Sequence, residues 1–404
     1  MTDAPKNVLA INNAVAAAPF LASDPKASPF VPSSWSTMIN YAVEHDQIDA
    51  TNFTSWSKAE LLIPKDNFFV GKIRFEVDLA ALSTTGTWSS FHDGIGAFMI
   101  DNVKVKYGSV TLFTLKGKEI YEHFYKNTLI AEEREIFDLD AKNNLPLGTR
   151  ILRATASQTV SIDLPLWWTR LPQTYLCAAQ FASDFIVQVN FNTLASITQS
   201  DGTVSGGAMT NAQFFVNKYY IEDAVMAQQV SIRQTGSGVT QRFLDYHRHE
   251  DVAITAGVTS FTYELQNHPL SLVETILTVF YTADRTTNYA NDFKNYYPVD
   301  TLQMTSGSST IFKNTPGQYI LRYFGAPAHD NKDVSEPIYR LPWGFQPDSV
   351  TRVTGQLTLA NATKPQIKMT FASATPAGLY VSVVSRISNT IQYVGGQIKV
   401  NWTP

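Results

Sequence analysis

The sequence is poor in cysteine and in charge. Cys177 is the only cysteine in 404 residues, which excludes an intramolecular disulfide and a cysteine-rich metal site. Asp, Glu, Lys and Arg together make up 16% of the chain, whereas about 25% is usual in soluble domains. We infer that much of the surface is buried, either in cores or against other subunits.

The chain also lacks a net positive charge, long apolar runs and the pattern of a secretory signal. The formal net charge is −4, so we expect no direct sequence-specific binding to nucleic acid. No uninterrupted apolar run reaches the ~18 residues of a membrane-spanning helix. The N-terminus lacks the basic start and apolar stretch of a signal peptide. We therefore expect folding in a reducing compartment and interpret the sequons at Asn52, Asn361 and Asn401 as chance matches.

The pattern that is present is that of short β-strands. In "KIRFEVDL", apolar and polar residues alternate from Ile73, which is the two-residue period of a strand. "VKVKYGSVTLFTL" reads as two strands joined by a Gly-Ser turn. About ten further runs of this kind follow, separated by clusters of turn residues. Near-helical spacing is convincing only in "GKEIYEHFYKNTLIAEEREIF", at Ile120, Phe124 and Leu129.

Many short strands with Gly/Pro turns predict an all-β protein of sandwich type. About 340 residues of such pattern exceed one sandwich, and the Gly/Ser-rich segment 198–213 is interpreted as a linker. We therefore predict an extended N-terminal arm over 1–35, a first sandwich over 36–205 and a second over 206–404. Each is expected to be an eight-stranded jelly roll with a few short helices in loops.

The most enzyme-like stretch is "LDYHRHEDV". His247 and His249 are two residues apart, so on a strand they share a face and could bind a metal, as the jelly-roll cupins do. A cupin site also needs a glutamate several residues after the second histidine, whereas Glu250 follows His249 at once. A polar loop or interface is the preferred interpretation.

Other possible catalytic groups are isolated in the sequence. Carboxylate pairs occur at Asp138 and Asp140 and at Glu119 and Glu122, but nothing indicates that two of them converge as glycoside hydrolysis requires. His92–Asp93 follows Ser89–Ser90 closely, which does not by itself make a triad. We therefore predict no enzyme activity, no catalytic, metal-binding or cofactor-binding residues, and no cofactor.

Adjacent tryptophans stand out in "SIDLPLWWTRLPQTYL". Trp167 and Trp168 lie between Pro165 and Pro172, so the segment could be a carbohydrate-stacking site, a membrane-touching loop or a plug in a β core. Neighbouring residues of a strand point in opposite directions. We expect one ring to fill the core of the first sandwich and the other to face the second sandwich or the next subunit.

Several stretches, in order, resemble the major capsid proteins of the nucleocytoplasmic large DNA virus lineage, including virophages and polinton-like viruses. These are double jelly-roll proteins. The resemblance is carried by five segments, namely "FFVGKIRFEVDLAAL", "DGIGAFMIDNVKVKYGSVTLFTLKGKEIYEHFY", "LPLWWTR", "FTYELQNHPLSLVETILTVF" and "VVSRISNTIQYVGGQIKVNW". They span about Phe68 to Trp402.

The resemblance implies a structural role without a catalytic site. It implies homotrimeric, pseudo-hexagonal capsomers that tile an icosahedral shell around the genome and an internal membrane, after synthesis in the host cytoplasm. Implied partners are neighbouring capsomers, minor capsid and penton proteins, and the internal membrane through the N-terminal arm. Two alternatives stay open, namely a minor capsid or scaffolding protein of the same fold and a carbohydrate-binding or carbohydrate-active β-sandwich protein. The segments 282–309 and 325–345 are expected to form outer loops of the second domain.

Overall fold

The computed structural model describes residues 41–92, 94–125, 147–169, 172–234, 238–281, 296–325, 336–347, 349, 354–360 and 362–402. The predicted N-terminal arm lies outside these residues. Parts of both predicted outer loops, 282–295 and 326–335, lie outside them too. The remainder of the first of those loops contains a regular strand, described below.

Strands β1–β14 build the first sandwich, and all of their pairings are antiparallel. One sheet has the order β1-β14-β4-β10, with β9 also paired to β4, and the other has the order β2-β3-β11-β7-β8. The strands are β1 (Tyr41–Asp49), β2 (Thr51–Thr54), β3 (Lys58–Ile63), β4 (Phe69–Leu79), β5 (Leu82–Thr84), β6 (Ser89–Phe91), β7 (Ile100–Tyr107), β8 (Val110–Lys116), β9 (Gln158–Asp163), β10 (Leu176–Cys177), β11 (Phe185–Phe191), β12 (Thr198–Ser200), β13 (Val204–Gly206) and β14 (Met209–Ile221). Short strands form two further pairs, β12 with β6 and β13 with β5.

Strands β15–β24 build the second sandwich on the same plan. One sheet has the order β15-β23-β18-β21, with β16 and β24 also paired to β23, and the other has the order β17-β22-β19-β20. The strands are β15 (Val239–Arg248), β16 (Val252–Ala253), β17 (Ser260–Glu264), β18 (Leu272–Tyr281), β19 (Thr301–Ser306), β20 (Ser309–Pro316), β21 (Tyr339–Pro342), β22 (Pro365–Thr370), β23 (Leu379–Val394) and β24 (Gln397–Val400).

Helices are short, as predicted. They are α1 (Ile95–Phe98), α2 (Gly117–Glu119), α3 (Leu147–Ala154), α4 (Leu194–Ile197), α5 (Asp223–Gln234) and α6 (Gly317–Tyr319), with π-helical turns π1 (Ile120–Tyr125) and π2 (Ile320–Gly325) and two 3₁₀ turns at Pro172–Thr174 and Ala178–Gln180. The helical pattern predicted after Gly117 is thus a single α-turn followed by π1, and its later part lies outside the described residues. No helix among the described residues is both long and apolar enough to cross a membrane.

Alternation along the strands creates the cores. In β4, Ile73, Phe75, Val77 and Leu79 are buried, while the residues between them are partly exposed. Side chains from the facing sheet, such as Val187 of β11, belong to the same buried cluster. Full burial of one such side chain contributes about 1.5–3 kcal/mol, so the strand period fixes which face of each sheet is internal.

The predicted boundary at 205/206 does not agree with the strand pairing. Strand β14 lies beyond it, yet β14 pairs along its length with β1 and β4 of the first sandwich. The segment 198–213, interpreted as a linker, contains β12, β13 and the start of β14. Glycine and serine there serve tight turns between strands. We therefore propose that the two sandwiches divide within α5.

The number of strands per sandwich also exceeds eight. The two main sheets of the first sandwich hold five strands each, and those of the second hold six and four. The surplus comes largely from very short strands, such as Leu176–Cys177 and Val252–Ala253, which pair at the ends of longer ones. Two residues give too little alternation for a sequence pattern to identify them.

Candidate functional site

The two tryptophans lie where the sandwiches meet. Trp168 is fully buried, and its ring centre lies 5.4 Å from that of Phe185 on β11. Trp167 turns toward the second sandwich, where its Nε1 donates to the hydroxyl of Tyr393 at 3.3 Å and its ring lies 5.7 Å from that of Phe243. As predicted, one ring packs in the core of the first sandwich and the other contacts the second sandwich. The predicted opposite directions are wrong, because the two residues lie in a turn and their rings are in edge-to-face contact, with ring centres 4.5 Å apart. Both rings are buried, so neither is a surface for stacking sugar or lipid.

Trp167→Phe should lower the free energy of unfolding by about 1–2 kcal/mol, because the variant leaves the Tyr393 hydroxyl without its partner in the junction. The phenyl ring retains most of the apolar contact. Urea denaturation of the variant and the wild type at equal protein concentration measures the difference. An unchanged urea midpoint would show that Trp167 does not tie the two sandwiches together.

A ridge made of β8, α2 and π1, here called the inner ridge, forms part of the junction. Phe113 of β8 contacts Phe243 and Tyr246 of β15, with ring centres 6.2 and 6.3 Å apart. The buried core of the first sandwich continues through these rings into the second. The junction is therefore part of a hydrophobic core and not a mobile hinge.

Ion pairs and hydrogen bonds surround this apolar centre. Arg248 at the end of β15 binds Glu119 of α2 through two contacts of 2.6 Å, and it also donates to the carbonyl oxygen of Thr114 at 2.7 Å. The hydroxyl of Tyr296 donates to Glu122 at 2.9 Å. Burial raises the pKa of Glu122, although Lys118 and Tyr296 counteract this. Glu119 and Glu122, considered as a possible catalytic pair, thus hold the sandwiches together.

The other possible catalytic groups have separate roles or lie outside the described residues. Ser89 and Ser90 belong to β6, which pairs with β12, and the main-chain N–H of His92 donates to the carbonyl of Ile197 at 2.9 Å. Asp93, Asp138 and Asp140 are not among the described residues. His247 and His249 lie side by side as predicted, with ring centres 4.6 Å apart. Within the described ranges, no group of three or more His, Cys, Asp or Glu side chains could hold a metal ion.

The inner ridge has a copy in the second sandwich, made of β20, α6 and π2 and here called the outer ridge. In each case a hairpin turns at a glycine with positive φ, 57° at Gly108 and 56° at Gly307, which an L-residue rarely adopts. In each case a second glycine begins the helix. A Cβ on Gly117 would clash with the carbonyl oxygens of Ala97 and Ile100, and one on Gly317 with that of Val299.

The strand orders repeat as well. Strand β1 pairs with β14, which pairs with β4, which pairs with β9. Strand β15 pairs with β23, which pairs with β18, which pairs with β21. The β1 sheet of the first sandwich therefore corresponds to the β15 sheet of the second, whose face the inner ridge covers.

Solved structures share this arrangement over nearly the whole chain. A chain of the PBCV-1 virus capsid matches with a TM-score of 0.70 at 12% identity and covers 93% of this chain and 100% of that chain. The chain has the double jelly-roll fold. The Faustovirus major capsid protein matches with a TM-score of 0.67 at 10% identity, over 91% of this chain and 93% of that chain. The mavirus major capsid protein matches with a TM-score of 0.55 at 13% identity, over 95% and 97%.

These identities establish the fold alone. No family model matches the sequence, and no curated protein sequence matches it.

The outer ridge is exposed where the inner ridge is covered. Inner-ridge residues Leu112, Phe113 and Leu115 are buried, whereas β20 is exposed along most of its length. At the end of the outer ridge, Tyr319 and Tyr323 are 50% and 66% exposed, with ring centres 5.2 Å apart. The second jelly roll thus presents a ridge with exposed aromatic side chains that nothing in the described chain covers.

In the first sandwich, the outer face of the β1 sheet corresponds to the face of the β15 sheet that the inner ridge covers. This outer face of the β1 sheet is exposed. On the edge strand β1, Tyr41 and Val43 are 57% and 43% exposed. Farther across the sheet, an open depression of about 430 Å³ is lined by residues that include Arg74 and Phe215. The first jelly roll therefore presents an open sheet face, here called the β1 face.

Sequence reasoning missed both exposed surfaces. The signal that could have found them is the internal repeat, because "YGSVTLFTLKGKEI" and "SGSSTIFKNTPGQYI" share two spaced glycines and a closing isoleucine. A comparison of the two halves would have shown polar residues on β20 at places where β8 is apolar.

Proposed function

We propose that the protein is a viral major capsid protein that acts structurally and forms homotrimeric capsomers. The observation that carries the proposal is that one subunit has both an exposed outer ridge and an exposed β1 face. Within the subunit, the inner ridge packs on the β15 sheet. By the internal repeat, the outer ridge of one subunit would pack on the β1 face of the next.

Such a contact joins two different surfaces, so it propagates head to tail and either closes into a ring or continues as a filament. Three subunits contribute six jelly rolls, and repetition of one packing mode around them gives a closed ring with pseudo-hexagonal outline. This geometry agrees with the resemblance of the sequence to trimeric capsid proteins. It also gives the exposed side chains of Ile311, Tyr319 and Tyr323 a place to be buried on assembly.

We further propose that the trimers tile an icosahedral shell around the genome and an internal membrane, with minor capsid and penton proteins as additional partners. The protein would be made in the host cytoplasm and reside in the virion capsid. The net charge of −4 supports a shell that encloses nucleic acid without sequence-specific contact.

Deletion of residues 1–34 should leave trimers intact and impair shell assembly. The segment precedes β1 and is rich in Ala, Pro, Asn and Ser, which suits an arm that becomes ordered on assembly. Coexpression with the partner capsid proteins, followed by particle counting in the electron microscope, measures the effect. Normal particles from the truncated protein would contradict this role of the arm.

Size-exclusion chromatography with light scattering tests the proposed function. A stable species of three times 44.9 kDa, without glycan binding, is the expected result. A monomer that binds oligosaccharide would overturn the proposal in favour of a carbohydrate-binding sandwich. Trimers that never join a shell in the coexpression experiment would favour a scaffolding protein of the same fold.

A further inference from the structure

Three histidine rings are in contact inside the second jelly roll. His247 lies on β15, His249 follows that strand, and His268 lies in the loop between β17 and β18. The ring centre of His247 is 4.6 Å from that of His249 and 4.5 Å from that of His268. His249 and His268 are 5% and 2% exposed. Trp402, after the last strand, closes the group with its ring centre 4.4 Å from that of His268.

Main-chain hydrogen bonds favour the neutral form of two of these rings. The N–H of Gln266 donates to Nδ1 of His249 at 3.2 Å, and the N–H of Leu270 donates to Nδ1 of His268 at 3.0 Å. The carbonyl oxygen of Leu270 lies farther from the same nitrogen, at 3.4 Å. An imidazolium carries protons on both nitrogens and accepts nothing. Protonation of either ring at Nδ1 would therefore set two N–H groups against each other and break one of the hydrogen bonds that hold the 265–271 loop.

The electrostatic surroundings oppose protonation as well. Burial lowers the pKa of His247 to about 4, helped by His268 and Arg248, and burial lowers the pKa of His249 to about 3, helped by the two other histidines. Burial also lowers the pKa of His268. Nε2 of His249 pairs with the Ser385 hydroxyl at 3.1 Å, which is a neutral partner.

Charged and titratable groups on the surrounding elements do not offset this. Arg248 on β15 is cationic and bound to Glu119. Arg386 on β23 is bound to Glu274 of β18. On β17, Tyr263 donates its hydroxyl to the Glu250 carbonyl, and the carboxylates nearby are Glu250, Asp251 and Glu264, all exposed. Asp245, also on β15, is bound to Asn389, which in turn donates to the carbonyl oxygen of Trp402.

We propose that His247, His249 and His268 form an acid-sensitive latch that holds the 265–271 loop and the segment around Trp402 at neutral pH and releases both when a ring is protonated. The latch belongs to the second jelly roll and does not depend on the proposed capsid role. A released histidine has a pKa of about 6.5. The latch is therefore fully stable above that pH and weakens as the pH falls toward 4. The reason is that the histidines have a higher pKa in the released state than in the closed state, so protonation favours release.

Asp245 has the opposite influence. Burial raises its pKa to about 6, above the value of about 3.9 for a released aspartate. As the pH falls, Asp245 is therefore protonated in the closed state before it is protonated in the released state. Protonation of Asp245 thus favours the closed form. An acid-induced opening must accordingly come from the histidines and should persist in Asp245→Asn.

Hydrogen exchange followed by mass spectrometry on the full-length protein at pH 7.5 and 5.5 tests the latch. After correction for the intrinsic pH dependence of exchange, opening of peptides covering 247–249, 265–272 and 397–402 should increase roughly tenfold for each titrating histidine. His247→Phe retains a ring that cannot be protonated, and His268→Asn retains an acceptor for the Leu270 N–H. Each variant should reduce the acid response about tenfold.

The matched control is Asp245→Asn, which keeps all three histidines and should retain the acid response. The wild-type measurement alone can contradict the proposal, whether or not the variants fold. Equal protection of the three segments at both pH values would overturn it. So would a simultaneous loss of protection in β4, which indicates global unfolding, or an unchanged acid response in both histidine variants.

Discussion

Replacement of Tyr319 and Tyr323 together by glutamate should leave the subunit folded and convert trimers to monomers. Both side chains are at least half exposed in the subunit, so their replacement removes no core contact. In the proposed trimer they are buried against the β1 face of a neighbour. Large aromatic residues at the centre of an interface typically contribute 2 kcal/mol or more each. Loss of two, together with burial of new charge, should weaken association by on the order of a thousandfold.

Light scattering at several protein concentrations measures the effect. Leu152→Glu is the matched control, because Leu152 of α3 is 72% exposed and lies outside the outer ridge. The control should remain trimeric, and circular dichroism should be the same for all three proteins. A double variant that stays trimeric would remove the outer ridge from the assembly interface.

Arg248→Met should destabilise the subunit by about 3–5 kcal/mol, because it leaves Glu119 as a buried carboxylate without its countercharge. The Glu119 side chain is only 4% exposed, and both of its oxygens bind the guanidinium. The remaining contact is the main-chain N–H of Lys116, at 2.9 Å. Urea denaturation at fixed protein concentration measures the loss.

Two further variants separate the buried charge from general effects of substitution. Adding Glu119→Gln to Arg248→Met removes the unpaired charge and should restore part of the stability. Lys58→Met breaks an ion pair of 3.1 Å in which the lysine is 40% exposed, and such pairs contribute less than about 1 kcal/mol. A cost for Arg248→Met as small as that of Lys58→Met would mean that the junction does not depend on this ion pair.

Local pattern was sufficient to predict the strands but not the orientation of the tryptophans. Alternation from Ile73 fixes one face of β4, and this inference depends only on the period of a strand, which short-range geometry dictates. Trp167 and Trp168 lie in a turn, where the strand period does not apply, and their rings are in contact. The all-β class could therefore be predicted from local pattern, and the ordered resemblance of five segments pointed to the double jelly roll.

Pairing between distant strands could not be predicted in the same way. The turn-rich composition of 198–213 is equally compatible with a linker and with tight turns before β14. The choice depends on the partners of β14, which are 130–180 positions away in sequence, as in the pairs Leu79 with Met209 and Tyr41 with Ile221. The hydrophobic period of a segment identifies it as a strand but does not predict which strand it pairs with.

Side-chain clusters built from several elements were equally hidden. His268 lies nineteen positions beyond His249 in sequence, and only the packing of the β17–β18 loop against β15 brings their rings into one group. The sequence pair His247–His249 pointed to a metal or a polar interface. The third ring and the two main-chain donors change that interpretation to a buried neutral cluster.

The most direct test of the assembly is a three-dimensional electron-microscopy reconstruction of the purified oligomer. We expect a threefold ring of six jelly rolls in which β20, Tyr319 and Tyr323 of each subunit contact β1 of the next. A twofold dimer, or a trimer whose outer ridge faces solvent, would contradict it.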